Sequence, residues 1–285
     1  MTVLTRLGIC VAVVCSISSS AWAVECPLGN ETLVGSYLHT FQGNGYLIGP
    51  TSPLPSASAA SFVSAGHSFF DGAGHFEWRD SASLGGLPIL DRVLQANYQI
   101  DPATCLGTYF DAVFGEFVRF VAARDGSGAH VMNSFNGVKI VGTIRKVPSG
   151  ACSATSFDGS YRSIVDGNRY KGGAGINTNG PSLGFAGVGR LVADTTGMGG
   201  GIFEWSTTDS NAGRIEQRTL RGTHNLDFAS CIVYASAHEE CVDGSCRGLP
   251  PGAWTGRFTA SPLGDHVVFL NTTVNVTVNG LLERQ

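Results

Sequence analysis

Short runs of β-branched and aromatic residues alternate with polar positions along the chain, and glycine-rich segments such as DGAGH and DGSGAH separate these runs. Alternation with a period of two is typical of strands that bury one face, and such glycine segments are typical of the tight turns between strands. Apolar positions at helical spacing are scarce. The pattern therefore predicts an all-β fold.

The first half of the chain contains eight predicted strands. They cover residues 36–41, 65–70, 75–80, 92–100, 107–112, 116–123, 129–135 and 138–147. Eight short strands at hairpin spacing within about 120 residues favour a small antiparallel up-and-down barrel, because a sheet that closes on itself has no exposed edges. A flat sandwich is the alternative.

The second half of the chain repeats the first. Cys26 and Cys105 are 79 positions apart, and so are Cys152 and Cys231. Further markers recur in the same order: Gly35-Ser36-Tyr37 with Gly159-Ser160-Tyr161, Phe76-Glu77-Trp78 with Phe203-Glu204-Trp205, Arg119-Phe120 with Arg257-Phe258, His130-Val131 with His266-Val267, and Gly142 with Gly280. This agreement predicts two tandem barrels, in residues 24–147 and 152–285. Because the junction between them is short, we expect the two copies to pack against each other.

The first 23 residues have the order of a cleavable signal peptide. Arg6 precedes a short apolar run, and small residues lead to Ala21-Trp22-Ala23. The apolar run is shorter than the roughly 20 residues that span a bilayer, and no later segment is long and apolar enough to span one. The sequence therefore predicts a secreted or periplasmic protein with no membrane span.

Six cysteines follow the predicted cleavage site, and cysteines of an exported protein normally pair. Sequence alone allows 15 ways of pairing six cysteines. If each copy folds independently, the natural pairs are Cys26 with Cys105, Cys152 with Cys231, and Cys241 with Cys246, the last within an insertion in the second copy. The spacing is unlike that of zinc sites, so no metal is predicted.

Three segments of the first copy carry a family resemblance: SFFDGAGHFEWRDS, LQANYQIDPATCLGTYFDA and FVRFVAARDGSGAHVMNSFNGVKIVGTIRKV. They resemble secreted bacterial calycin-like proteins, which are similar in outline to allene oxide cyclase-like barrels. The second copy departs from the pattern, because it reads CIVYAS where the first has a Gly-Thr pair after the cysteine. The resemblance implies a small barrel but no single activity, since such barrels include cyclases, ligand carriers and proteins of unknown role.

Composition and motifs exclude several classes of function. The chain has 22 acidic and 18 basic residues, for a net charge of −4, and no clustered basic face that would bind nucleic acid. It contains no nucleophile elbow, H-E-x-x-H motif, P-loop or EF-hand loop. Its glycine clusters are not followed by a helix, as a dinucleotide site requires. No cofactor is predicted.

The duplicated polar residues are the remaining catalytic candidates. Glu77 and Glu204 each lie between two aromatic residues, so each glutamate points to the opposite face of its strand. A role as general acid or base requires these carboxylates to face the barrel interior, whereas aromatics that fill the barrel would leave them in solvent. His130 and His266 are further candidates because histidine titrates near neutral pH, although both follow turns, which favours a place at a strand end on the surface.

Two further pairs are candidates for ligand binding. Arg119 and Arg257 are able to bind an anionic group. Tyr37 and Tyr161 are predicted to pack in the core and to present a hydroxyl group at the barrel mouth.

These observations leave three hypotheses for function. The preferred one is a non-enzymatic exported protein whose barrels bind a small apolar ligand or a protein partner. The second is a cyclase or isomerase that acts on an apolar substrate inside a barrel. The third is a structural or adhesion module. The volume of the barrel interior and the direction of its polar side chains distinguish them.

Overall fold

The computed structural model describes residues 26–45, 60–111, 115–133, 138–170, 182–211, 214–241, 253–273 and 276–285. These residues form two closed, eight-stranded antiparallel barrels in tandem. The predicted all-β fold and the tandem barrels are confirmed, and the flat sandwich is wrong. The predicted signal peptide lies outside the described residues. No helix within these ranges is long and apolar enough to cross a bilayer.

The first barrel follows a short 3-10 helix at Gly29–Thr32. Its strands are β1 (Val34–Gly45), β2 (Ala60–Asp71), β3 (His75–Leu84), β4 (Leu87–Ile100), β5 (Leu106–Asp111), β6 (Gly115–Ala122), β7 (Gly128–Asn133) and β8 (Val138–Val147). Each strand pairs with the next one in the chain, and β8 returns to pair with β1. All eight strands predicted in this copy are present, and β1 to β4 are longer than predicted.

The second barrel follows a 3-10 helix at Ala154–Phe157. Its strands are β9 (Gly159–Tyr170), β10 (Ser182–Thr195), β11 (Gly200–Asn211), β12 (Arg214–Asp227), β13 (Ile232–Cys241), β14 (Ala253–Ala260), β15 (His266–Asn271) and β16 (Val276–Arg284). Strand β16 pairs with β9 and closes this barrel. The two copies therefore share one topology, strand for strand.

The two long disulfide bonds are confirmed. Cys26 bonds to Cys105 and Cys152 bonds to Cys231, whereas Cys246 lies outside the described residues. Each bridge joins the segment ahead of the first strand of its barrel to the turn after the fourth strand. The expectation that a disulfide closes each barrel needs correction, because backbone pairing of the first and last strands does so. The bridges indicate an oxidising environment outside the cytoplasm.

The turns that hold the second cysteine of each bridge are built alike. Asp101 accepts hydrogen bonds from the Ala103 amide and the Thr104 hydroxyl. Asp227 accepts the same two bonds from Ala229 and Ser230. Cys105 and Cys231 both have φ near +58°, a conformation that non-glycine residues seldom adopt. The duplication is thus visible in local backbone geometry as well as in sequence.

The two barrels contact each other through the outer faces of unlike strands. Strands β1 to β3 of the first barrel pack against β14 to β16 of the second. An apolar cluster fills the contact: Leu38, Val63, Ala65 and Val147 from the first barrel, with Val268 and Leu270 from the second. Asn279 Nδ2 donates a hydrogen bond to the Phe41 carbonyl at 3.0 Å, and Arg145 forms an ion pair with Glu283 at 3.0 Å. The predicted packing of the two copies is confirmed.

A histidine beside this contact should make stability depend on pH. Burial, followed by repulsion from His39 and Arg79, lowers the pKa of His67 to about 4. In the unfolded chain, His67 binds a proton with a pKa near 6.5, whereas in the folded protein it stays neutral down to about pH 4. The free energy of unfolding therefore falls as the pH drops below 6.5. We expect His67→Gln to remove about 2 kcal/mol of the stability loss between pH 7.5 and pH 5. Urea denaturation at both pH values measures the difference, and parallel profiles for the two proteins would contradict it.

Candidate functional site

Aromatic side chains fill much of the interior of both barrels. In the first barrel, Phe70, Phe76 and Tyr109 are almost fully buried, and the ring centroids of Phe76 and Tyr109 are 4.3 Å apart. In the second, Trp205 and Trp254 occupy the middle of the barrel, beside a void of about 30 Å³. Small-molecule sites in proteins have volumes of roughly 300 to 1,000 Å³. This void in the second barrel is therefore too small for an organic ligand.

Both candidate glutamates lie on the outside of their barrels. Glu77 accepts hydrogen bonds from Arg79 and Gln95, and these bonds, first that from Gln95, lower its pKa. Glu204 is exposed and pairs with Arg221 at 2.8 Å. The flanking aromatics fill the interior instead. Neither glutamate has the inward orientation that acid or base catalysis inside a barrel requires.

The two tyrosine candidates are structural. Tyr37 and Tyr161 are fully buried. The Tyr37 hydroxyl donates to the Gly126 carbonyl at 3.1 Å, and burial raises its pKa to about 12. Tyr161 bonds to the Ser156 and Asp158 carbonyls in the segment that covers the end of its barrel. Their hydroxyl groups therefore hold the covered end of each barrel rather than facing an open mouth.

The strand register shows that His130 and His266 are not equivalent. Val131 pairs with Gly142, and Phe269 pairs with Gly280, which makes Val131 the counterpart of Phe269. His130 therefore corresponds to Val268, and His266 corresponds to Gly128. The matched dipeptides are a chance likeness displaced by two residues. His266 pairs with Asp265 at 3.1 Å, whereas His130 is exposed on β7.

His130 and Arg119 line an open groove of about 630 Å³ that runs over the outer face of strands β5 to β8 and continues onto β1 at Thr40 and Gln42. We call it the β5–β8 groove. One row of side chains across it is Leu106, Val121, His130 and Thr143, and a second row is Arg119, Met132 and Val141. Leu106, Val121, Met132 and Val141 are each about half exposed. Asn279 of the second barrel forms its edge. Two predicted site residues thus meet on an apolar surface.

Arg257, the counterpart of Arg119, has a different setting. Its guanidinium lies 3.8 Å from the centroid of the Tyr234 ring and 3.4 Å from the Asp91 carboxylate of the first barrel. The groove around it, of about 500 Å³, includes the side chains of Thr223, Ser236 and Thr272. Arg257 therefore helps to hold the two barrels together.

The first barrel also contains a buried chain of polar groups that sequence analysis missed. His39 Nδ1 lies 2.7 Å from the Ser68 hydroxyl, and its Nε2 lies 3.4 Å from Asp80. Arg92 donates two hydrogen bonds to Asp80. Burial raises the pKa of Asp80, but His39 and then Arg92 outweigh it and hold the pKa below its usual range. Ser68 and His39 are almost completely buried, so these hydrogen bonds help to fix the interior of the first barrel.

The second barrel buries an arginine at the equivalent position. Trp78 pairs with Leu94 and Trp205 pairs with Leu220, which makes Arg218 the counterpart of Arg92. Arg218 is paired with Asp209 at 3.4 Å and with Glu216, and all three side chains are at most 5 % exposed. On their strands, these charged residues occupy the inward-facing positions of the period-two alternation. The sequence alone could therefore have shown that they face the interior.

Comparisons with known proteins do not add to this picture. No protein-family model and no curated protein matches the chain. Within the described ranges, no group of three or more histidine, cysteine, aspartate or glutamate residues is placed to hold a metal ion.

Proposed function

We propose that the protein is a non-enzymatic, exported binding protein that takes up apolar surface of a ligand or partner in the β5–β8 groove of its first barrel. Export would follow removal of residues 1–23, and the two disulfides support it. The observation that carries the proposal is the set of four half-exposed apolar side chains that line one groove.

The size and lining of the groove support binding. A volume of about 630 Å³ lies within the range of small-molecule sites. Contiguous exposed apolar surface on a soluble protein commonly marks an interaction site, whereas single exposed apolar residues carry no such meaning. Here Met132 and Val141 are direct cross-strand neighbours, and so are Leu106 and Val121. The two pairs lie in adjacent rows of the same face and together form the apolar surface.

Charge around the groove favours an occupant with an acidic group. Lys139 lies two residues before Val141 on the same face of β8 and is exposed. A cation beside an apolar surface fits an apolar molecule or segment with an anionic end.

The other two hypotheses have less support. A cyclase or isomerase needs space and reactive groups inside a barrel, but the candidate glutamates point outward and His39 is bonded to buried partners. The resemblance to allene oxide cyclase-like and other calycin-like barrels remains a prediction, and it implies no single activity. A purely structural module would not need the β5–β8 groove.

The proposal is tested with anilinonaphthalene sulfonate, an apolar anion whose fluorescence rises on binding. We expect the mature oxidised protein, at low concentration, to bind the probe, and Met132→Glu to weaken binding by about tenfold, because the new carboxylate adds a charge of the probe's own sign to the groove. Native mass spectrometry of protein purified from its own host gives an independent search for a bound compound.

The matched control is Val188→Glu. Val188 is also an exposed apolar residue on the outside of a strand, but it belongs to the second barrel. We expect it to change probe affinity less than twofold. Equal losses in the two variants, or no saturable binding by the wild-type protein, would rule out the groove as the binding site.

A further inference from the structure

The contact between the two barrels is heterologous: the first barrel uses β1 to β3, and the second uses β14 to β16. By the strand-for-strand duplication, β14 to β16 correspond to β6 to β8, and β1 to β3 correspond to β9 to β11. Each barrel therefore has a counterpart of the surface that its neighbour uses. A heterologous contact joins two different, complementary surfaces, so each end of the pair keeps one of these surfaces without its partner. We call each such surface an unused half of the contact.

The unused half on the first barrel is the β5–β8 groove. Val268 and Leu270 of the internal contact correspond to His130 and Met132, and Asn279 corresponds to Val141. Met132 and Val141 are exposed, whereas Leu270 is fully buried. The groove is thus the first copy's version of a surface that, in the second copy, already binds a barrel of this fold.

The unused half on the second barrel is also apolar. Tyr37 pairs with Ser68 and Tyr161 pairs with Leu191, so that Ala65 of the internal contact corresponds to Val188. Val188 is 58 % exposed, and Ile164 beside it on β9 is 66 % exposed. Ile202 on β11 and Val192 on β10 add further exposed apolar surface on the same strands. Val188 and Ile164 therefore present apolar surface at this end of the barrel pair, beside Arg162, the exposed counterpart of Leu38.

We propose that the occupant of the β5–β8 groove is a second copy of this chain, docked head to tail through the outer face of its strands β9 to β11. This inference rests on the proposed function, because it names the partner of the same groove. The intermolecular contact repeats the geometry of the internal one, with Met132 and Val141 of one molecule against Val188 and Ile164 of the next. Repetition gives either an open chain of molecules or a closed ring.

The test is sedimentation velocity of the mature oxidised protein over a range of concentrations, with two variants. Met132→Glu blocks the groove and Val188→Glu blocks the opposite face. We expect the wild-type protein to form species larger than a dimer, and each variant alone to be monomeric. An equimolar mixture of the two variants is expected to form a dimer and nothing larger, because each variant keeps one intact face and the two intact faces are complementary.

Met198→Glu is the control, because Met198 is an exposed methionine on a turn outside both faces. It should assemble as the wild-type protein does. A wild-type protein that stays monomeric at high concentration would overturn the inference, and so would a mixture of the two variants that fails to dimerise. If the wild-type protein is monomeric and still binds anilinonaphthalene sulfonate in the groove, the proposed function stands and the head-to-tail partner does not. If it neither assembles nor binds the probe, both fail.

Discussion

Replacing Arg218 by methionine is expected to lower the free energy of unfolding by about 3 to 5 kcal/mol, because it leaves two buried carboxylates without their cation. Arg218 is 3 % exposed, and Asp209 and Glu216 are at most 5 % exposed. Methionine has a similar length and keeps the packing, so the loss reports the uncompensated charges rather than a cavity. Urea denaturation followed by tryptophan fluorescence measures it.

The matched control lies on the same strand. Arg221 points to the outside of β12, where it pairs with Glu204, and both side chains are more than half exposed. An exposed pair of this kind contributes little, so Arg221→Met should cost less than about 1 kcal/mol. Similar losses in the two variants would contradict the account of the buried cluster as an ion pair that depends on Arg218.

Replacing Cys26 and Cys105 together by alanine is expected to cost about 4 kcal/mol. The bridge closes a loop with a sequence separation of 79 residues, and its loss increases the conformational entropy of the unfolded chain. The Cys152 and Cys231 pair closes a loop of the same length. The double alanine variant of that pair should therefore lose a similar amount.

The comparison of the two double variants is the informative measurement. Equal shifts in the urea midpoint support the chain-entropy account, because the loops are equal and the barrels differ in sequence. A loss below about 1 kcal/mol in either variant would contradict that account and would indicate that the reduced, unfolded chain keeps structure of its own.

The fold was predictable because its signals are local or repeated. Alternation with a period of two located all eight strands of the first barrel, and the equal spacing of Cys26 to Cys105 and Cys152 to Cys231 revealed the duplication. The predicted equivalence of His130 and His266 between the two copies was the exception. Arg119 and Gly142 both align with the second copy at one constant offset, which assigns Val268 to His130. A constant offset between two reliable markers is a stronger guide than a matched dipeptide.

The candidate site was less predictable, because it depends on which outer faces the two barrels cover. The run HVVFLN in β15 is apolar on both faces, and the structure buries both, one in the barrel and one in the contact. That run could have signalled the contact. For β7, however, the sequence shows a similar apolar surface at Met132, and only the arrangement of the barrels decides that it stays exposed.

The position of the disulfide bonds also sets an order of events during synthesis. Both cysteines of the first bridge precede β5, and both cysteines of the second precede β13. A growing chain therefore holds each complete cysteine pair while half of that barrel has yet to emerge. Oxidation at this stage would lock the first four strands into a covalent loop, on which the later four strands assemble as they arrive. Each barrel would then be completed on a covalently secured half rather than by collapse of a finished chain.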